Sequence, residues 1–434
     1  MTTKIRVGLL GCGVVGGGVV EALHRNAEHM EAQFGVRLEL VRVVVRDVNR
    51  PRTPHFQPKW LASDWRQVTE ASDIDIVIEA MGGISPAREA IKSALRSGKH
   101  VVTANKELLA RHGEELLALA RETGQQLLFE ASVLGGIPAL HALQTYFGAN
   151  RITRLRGIFN GTTNYILSRM TDAPIGFAQA LEEAQAAGYA EADPTSDVEG
   201  YDALYKLKIL IRQAFAAEVR VGDVEQQGIS RIEAADMVMA RNLDCKIKLV
   251  AEASWDPAIG RVTAAVRPVL LGSKDTLYSV DGVQNALAVT GDLVGDLVFM
   301  GPGAGAFPTA SAVVEDLVKI ALTSSDRVSQ SSASEVAQVT SSEYIVRRKC
   351  DCGVCTGAQY NAAISQALDG AEIRYLNLPE HGQESWIVRL KQALTTSEFE
   401  HGVYEVLKGT FSSFPIYGLS EEAFQYKESE EVAG

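Results

Sequence analysis

The sequence predicts an α/β protein: a parallel sheet with helices on both faces at the N-terminus, an α+β middle and a small βαββαβ tail. Three observations carry this. Residues 4–130 alternate short β-branched runs with helical patterns, the order that builds a parallel sheet covered on both sides. Residues 134–300 lose that alternation while still mixing helices and strands. After the polar, linker-like stretch TSSDRVSQSSASEVAQVTSS, the chain reads strand, helix, two strands, helix, strand over 343–420, a ferredoxin-like order.

In order, IRVGLL reads as a strand, VVGGGVVEALHRNAEHMEA as a helix and LELVRVVVR as a second strand. DIDIVIEA and KHVVTAN are strands on either side of the helix PAREAIKSALRSG, and the helix NKELLARHGEELLALARETG leads to the strand QQLLFEAS. The middle contains the helices APIGFAQALEEAQAAG and DALYKLKILIRQAFAAE and the strands NRITRLRGIFN, KIKLVAEASW, GRVTAAVRPVLL, NALAVTGD and DLVFMG. FPTASAVVEDLVKIAL is an amphipathic helix that Pro308-Thr309 starts. A chain of 434 residues suits two or three domains. The boundaries read from the sequence are 1–133 (completed by a helix at 307–325), 134–306, a linker at 326–342, and 343–434.

A formal net charge of −12 argues against nucleic acid or an anionic membrane surface as partner. No uninterrupted apolar run reaches the length of about 18 residues that a membrane span needs. Lys4 and Arg6 precede VGLLGCGVVGGGVV, which superficially resembles a signal peptide, but six glycines make a poor signal helix. Five cysteines, an odd number, fit a reducing compartment, so a cytoplasmic location is expected.

Gly11-Cys12-Gly13-Val14-Val15-Gly16 matches G-x-G-x-x-G between a strand and a helix. Such glycines make a tight turn, let the backbone approach a pyrophosphate and pack helix against strand, while the helix N-terminus offers N–H donors to phosphate. This predicts a Rossmann-type dinucleotide-binding domain, against a glycine-rich packing turn or a methyltransferase site. The second strand ends in Val45-Arg46-Asp47. An acid there would bond the ribose 2′-hydroxyl of NAD, whereas an Arg accommodates the 2′-phosphate of NADP. With Arg46 first, NADP is favoured over NAD; the competing reading is that Arg46 pairs with a surface acid.

GLLGCGVVGGGVV, VVTANKELLA, FNGTTNYIL, GYAEADPTSDVEGYDALYKLKIL and GAGAFPTASAVVEDL, in this order over residues 4–325, together resemble homoserine dehydrogenase. The resemblance implies NAD(P)-dependent interconversion of aspartate 4-semialdehyde and homoserine in threonine, methionine and isoleucine biosynthesis. It matches Lys206 to the family's catalytic lysine and Asp202 to its substrate-orienting acid. It places Glu191 on the substrate ammonium, Gly188 where cofactor meets substrate, Asp197 as a secondary polar contact, and Lys106 near nicotinamide and substrate. Gly303 and Gly305 match a glycine loop beside the cofactor. Glu130, with Val133, Gly135 and Ile137, matches a monovalent-cation site, where one carboxylate and three backbone carbonyls suit sodium. A homodimer or homotetramer is expected.

Reducing an aldehyde needs a hydride at carbon and a proton at the oxygen where charge develops. A lysine can deliver that proton if its surroundings bring its pKa down from about 10.4. Asp202 precedes Lys206 by one helical turn, among Leu204, Leu207, Leu210 and Ile211, so the pair is expected to be buried. From spacing alone an ordinary i, i+4 ion pair on a helix edge is the favoured reading; the resemblance reverses that preference. Lys208 lies well round the helix and is read as facing solvent. Lys106 sits at the carboxyl end of a parallel strand, where α/β ligands collect; the alternative is a charge in a helix's first turn. In FNGTTNYIL, Thr162 or Thr163 is expected to cap a helix, whose N–H groups would hold a substrate carboxylate or simply be capped. Asp193, ahead of Pro194, is read as a turn former and Glu199 as solvated.

The tail resembles an ACT domain, a module that binds amino acids, which makes threonine a candidate effector. Its first loop, Asp351-Cys352-Gly353-Val354-Cys355, lacks the usual proline, so the tail could instead serve dimerisation alone. Cys350, Cys352 and Cys355 show no fourth zinc ligand at recognisable spacing and read as free thiols. Two rival functions remain. One is another Rossmann oxidoreductase of aspartate-derived intermediates, lacking the Glu191–Asp202–Lys206 set. The other is a catalytically silent amino-acid sensor.

Overall fold

The computed structural model describes residues 2–258, 260–322, 335–337, 341–349, 360–378, 383–407 and 411–417. It forms two compact units: residues 1–152, 205–218 and 290–334, and residues 153–204, 219–289 and 335–434. The boundaries read from the sequence do not coincide with these. Residues 134–152 and 205–218 fall in the first unit, and the tail elements share the second unit with the middle of the chain.

The first unit is built on six strands: β1 (Thr3–Leu10), β2 (Val36–Val44), β3 (Leu61–Ala62), β4 (Ile76–Glu79), β5 (His100–Thr103) and β6 (Leu127–Leu128). Their order is β3-β2-β1-β4-β5-β6, with neighbours parallel. The connection reverses direction between β1 and β4, and in such sheets ligands bind beyond the carboxyl ends of the strands at that point. Val7, Leu9, Ile76, Ile78 and Val102 of the strands pack with Val19 and Leu23 of the helix Val14–Arg25 and with Val313 and Leu317 of the helix Ala306–Leu322. The two helices approach closely at Gly18, where a Cβ would stand 2.4 Å from the Ala306 carbonyl oxygen.

Two elements differ from the sequence reading. The long first helix is divided at Asn26, which caps Val14–Arg25 and precedes Ala27–Phe34. Asn leaves helical backbone readily because its side chain competes for local hydrogen bonds. QQLLFEAS pairs as a strand only at Leu127–Leu128, and Glu130–Ser132 turns into a 3-10 helix.

The second unit carries a mixed sheet. Its strands run in the order Gln284–Gly291, Ile152–Ile158, Cys245–Asp256, Arg261–Gly272, Phe411–Tyr417, Ser341–Lys349, Gln383–Leu394, Glu372–Leu378. Cys245–Asp256 and Arg261–Gly272 form the long antiparallel centre. The tail's elements, strand Ser341–Lys349, helix Asn361–Ala367, strands Glu372–Leu378 and Gln383–Leu394, helix Thr396–Leu407 and strand Phe411–Tyr417, follow βαββαβ order. They join the centre through a parallel pairing of Leu270 with Ile416. Tyr344, Trp386, Phe399 and Val403 form a separate small core within the tail. The cysteine cluster Cys350, Cys352 and Cys355 and the loop 351–354 lie outside the described residues. Among the described residues, no helix is long and apolar enough to cross a membrane.

Candidate active site

In the first unit the glycine turn follows β1. Gly11 has φ +93°, and a Cβ on Gly16 would stand 2.1 Å from the Gly11 carbonyl oxygen, so this turn tolerates no side chain at either position. Gly13 is exposed, with open space where its Cβ would project. The helix Val14–Arg25 begins without a side-chain cap or an acid in its first turn. Bare N–H donors beside open space suit the pyrophosphate of a dinucleotide.

A cavity of about 200 Å³ opens beside this turn. Val14 and Val15 come from the turn, and Ala104 and Lys106 from the end of β5. Gly135 is contributed by the loop after Glu130, Gly303 and Gly305 by the loop before the helix Ala306–Leu322, and Lys206 by the helix Tyr201–Phe215. Lys206 is only 7% exposed. Residues scattered over nearly 300 positions of sequence thus meet at the carboxyl end of the sheet. Arg46 is exposed and does not line the cavity.

The cavity wall is held by buried polar groups. Asn105 caps the helix Lys106–Thr123, its Oδ1 accepting from the Leu108 N–H at 3.1 Å, which presents half-buried Lys106 at the first helical position. Glu79, fully buried at the end of β4, accepts from Thr103 Oγ1 at 2.6 Å and from the Met81 N–H at 2.8 Å. Burial pushes its carboxyl above the usual carboxylate range. Glu79 escaped the sequence reading; an acid closing an apolar strand just before Gly82-Gly83 was the available signal.

Glu130 is buried, with Oε1 accepting from the Leu140 N–H at 3.0 Å and Oε2 from the His141 N–H at 2.5 Å. Its own N–H donates to Asp316 Oδ2 at 2.9 Å. Burial raises the Glu130 carboxyl to about 7 and that of Asp316 to about 7. Val133 and Ile137 are buried nearby in sequence, and Gly135 lies against the Gly303 backbone.

Lys208 does not face solvent. It is buried, and its ammonium donates to the Ala110 carbonyl at 2.8 Å. The helix is buried at every position from 202 to 211, so this face also packs against protein, and the Ala110 carbonyl takes one of the ammonium's three hydrogens.

In the second unit, Asn160 caps the helix Gly161–Asp172 rather than either threonine. Its Oδ1 accepts from the Thr163 N–H at 2.8 Å, and Thr163 is itself fully buried. Asn160 Nδ2 donates to Asp197 Oδ1 at 2.7 Å and to Asp202 Oδ2 at 2.9 Å. Asp202 is 4% exposed, Asp197 half-buried. Gly188 and Glu191 are exposed. Asp193 Oδ1 accepts from Thr195 N–H and Oγ1, forming a turn, and Glu199 is half-buried.

Comparison with known proteins agrees with this geometry. Residues 138–318 match the family model "Homoserine dehydrogenase", and residues 11–130 match "Homoserine dehydrogenase, NAD binding domain". A homoserine dehydrogenase of Bacillus subtilis is 43% identical over 316 residues, 73% of this chain and 72% of that protein. One from Synechocystis is 44% identical over 328 residues, 74% and 75%. The structure of a homoserine dehydrogenase from Thiobacillus denitrificans superposes with a TM-score of 0.87 at 35% identity, covering 96% of this chain and 99% of that one. A hyperthermophilic archaeal homoserine dehydrogenase in complex with NADPH gives a TM-score of 0.63 at 28% identity, over 74% and 98%. The glycine turn thus belongs to a nicotinamide-binding domain, and the chain is a member of the homoserine dehydrogenase family, an NAD(P)-dependent oxidoreductase interconverting L-aspartate 4-semialdehyde and L-homoserine.

Proposed function

We propose that Lys206 handles the proton of this reaction, with NADP preferred over NAD. The observation behind the first part is that a buried lysine shares one cavity with Val14 and Val15 of the glycine turn. A nicotinamide dinucleotide held at the glycine turn 11–16 would supply the hydride acceptor or donor for substrate C4. In homoserine oxidation the neutral Lys206 amine accepts the hydroxyl proton as the C=O bond forms. In the reverse direction the ammonium donates it to the oxygen that becomes the hydroxyl. Lys106, at the same cavity, lends positive charge to that oxygen. Asp202, one turn before Lys206 on the same helix, orients the substrate hydroxyl. To Glu191 we assign the substrate ammonium, to Asp197 a secondary polar contact, and to the turn at Gly188 the meeting of cofactor and substrate. The helix start at Gly161–Thr163 takes the substrate carboxylate.

The NADP preference is supported at the end of β2. Arg46 is exposed, while one oxygen of the Asp47 carboxylate is already engaged by the Asn49 N–H at 2.9 Å within its own loop. Glu130 with the carbonyls of Val133, Gly135 and Ile137 would hold a monovalent cation such as sodium, a hard ion suited to oxygen donors. To these we add a cytoplasmic homo-oligomer, with the βαββαβ tail as the seat of an amino-acid effector such as threonine.

The test is direct. Purified protein given NADP and homoserine should generate absorbance at the reduced-nicotinamide band, faster than with NAD. Lys206→Ala should lower kcat by about 10²–10⁴ and leave the Kd for NADP unchanged. An equal loss of nucleotide affinity would remove Lys206 from the proton-handling role.

A further inference from the structure

We propose that Asn160 is a positioning residue whose single side-chain amide orients the two acids Asp197 and Asp202 and at the same time caps the helix Gly161–Asp172 through the Thr163 N–H. The inference rests on the assignment of those acids to the substrate site.

Asn160 is 4% exposed, and its side chain is fully engaged. The carbonyl oxygen accepts from the Thr163 N–H at 2.8 Å, and the two hydrogens of Nδ2 go to Asp197 Oδ1 at 2.7 Å and Asp202 Oδ2 at 2.9 Å. An amide has two donor hydrogens, so one nitrogen serves both carboxylates.

The three partners come from separate elements. Asp197 lies on the short helix Thr195–Val198, Asp202 on the first turn of Tyr201–Phe215, and Thr163 on Gly161–Asp172. Two carboxylates within reach of one nitrogen repel each other, which favours protonation of one of them. Donation by Nδ2 favours the charged form of both, because a hydrogen bond to a carboxylate stabilises its anion. Asn160 therefore favours the charged form of both acids and fixes one oxygen of each against its own amide, leaving the second oxygen of each for its other contacts. A serine at this place would cap the helix as well but could not bridge the acids. Capping therefore explains the choice of a polar residue, and bridging explains the amide.

The experiment separates the two roles. Asn160→Ser retains a cap acceptor for Thr163 and removes both donors to the acids. Its melting temperature and Kd for NADP should stay near wild type, while kcat/KM for homoserine falls by about tenfold or more. The acidic limb of its pH profile should move to higher pH, since the acids lose donors to their charged forms. Asn160→Asp keeps the cap and puts a third carboxylate against the other two, so it should lose more activity and shift the limb further. Wild-type pH profiles in both variants, or activity losses that only track lost melting temperature, would overturn the inference. Asp202→Asn run alongside isolates the underlying assignment. If it is impaired while Asn160→Ser is not, Asn160 is merely a cap and Asp202 keeps its role; if Asp202→Asn is fully active, the assignment falls and the inference with it.

Discussion

Burial holds the carboxyls of Glu130 and Asp316 at about 7 each, against 4.5 and 3.8 for the ordinary groups. An acid whose folded pKa is raised binds its proton more tightly in the native state. Stability therefore falls as pH rises from the ordinary value to the raised one, and is flat above it. Thermal melts in buffer free of sodium and potassium, so that no ion sits at Glu130, should show the midpoint dropping between about pH 5 and pH 7 and levelling beyond. Asp316→Asn, which keeps an oxygen for the Glu130 N–H, should shrink that slope; an unchanged slope would mean these two groups do not govern it. At this scale the sequence was uneven. Lys206 and Lys106 were picked out by the family likeness, and the structure sets both at one cavity. Lys208 was misjudged, because two residues along a helix change the face but not the burial when the helix is packed on every side. Asn160 caps its own helix locally and also donates to Asp197 and Asp202, two hydrogen bonds that exist because distant elements meet there.

Gly18 shows what a helix pair demands of one position. A Cβ there would lie 2.4 Å from the Ala306 carbonyl oxygen and 3.2 Å from the Ala310 Cβ. The first of these is backbone and cannot rotate away. Gly18→Ala should push the helices Val14–Arg25 and Ala306–Leu322 apart and cost about 1–3 kcal/mol, read as a lower urea midpoint with an unchanged slope. Because the displaced helix begins at the glycine turn, the affinity for NADP should fall as well. Most elements were legible at this level: periodicity marks the strands of the first sheet and the helices Lys106–Thr123, Tyr201–Phe215 and Ala306–Leu322. The break at Asn26 and the early end of β6 were not, since each depends on local hydrogen bonding that no period records.

Across the second unit, the centre of the sheet and the tail are linked by a buried cation. Arg267 is fully buried, and its guanidinium donates to Glu225 at 2.9 Å, to Glu252 at 3.2 Å and to Thr396 Oγ1 at 3.1 Å. Arg154 reaches the other oxygen of Glu252 at 3.3 Å. Removing Arg267 takes one counter-charge from buried Glu252 and from half-buried Glu225, a loss of about 3–5 kcal/mol. Arg267→Ala should therefore lower the stability of this unit by that order in calorimetry, and hydrogen exchange should rise in Thr396–Leu407 as well as in Arg261–Gly272. Protection unchanged in the tail helix would show that the cation does not couple them. By itself the sequence determined the element order, the nucleotide turn and the family, since each is written in contiguous residues: a period, a glycine spacing, an acid-rich run before an apolar helix. Only the tertiary structure decided that the tail's sheet continues that of the middle, and that Val14, Lys106, Lys206 and Gly303 share one cavity. It also decided that one asparagine serves two acids. Those facts depend on which faces pack together once the chain is closed, and packing is a property of volumes and distances that no stretch of sequence contains.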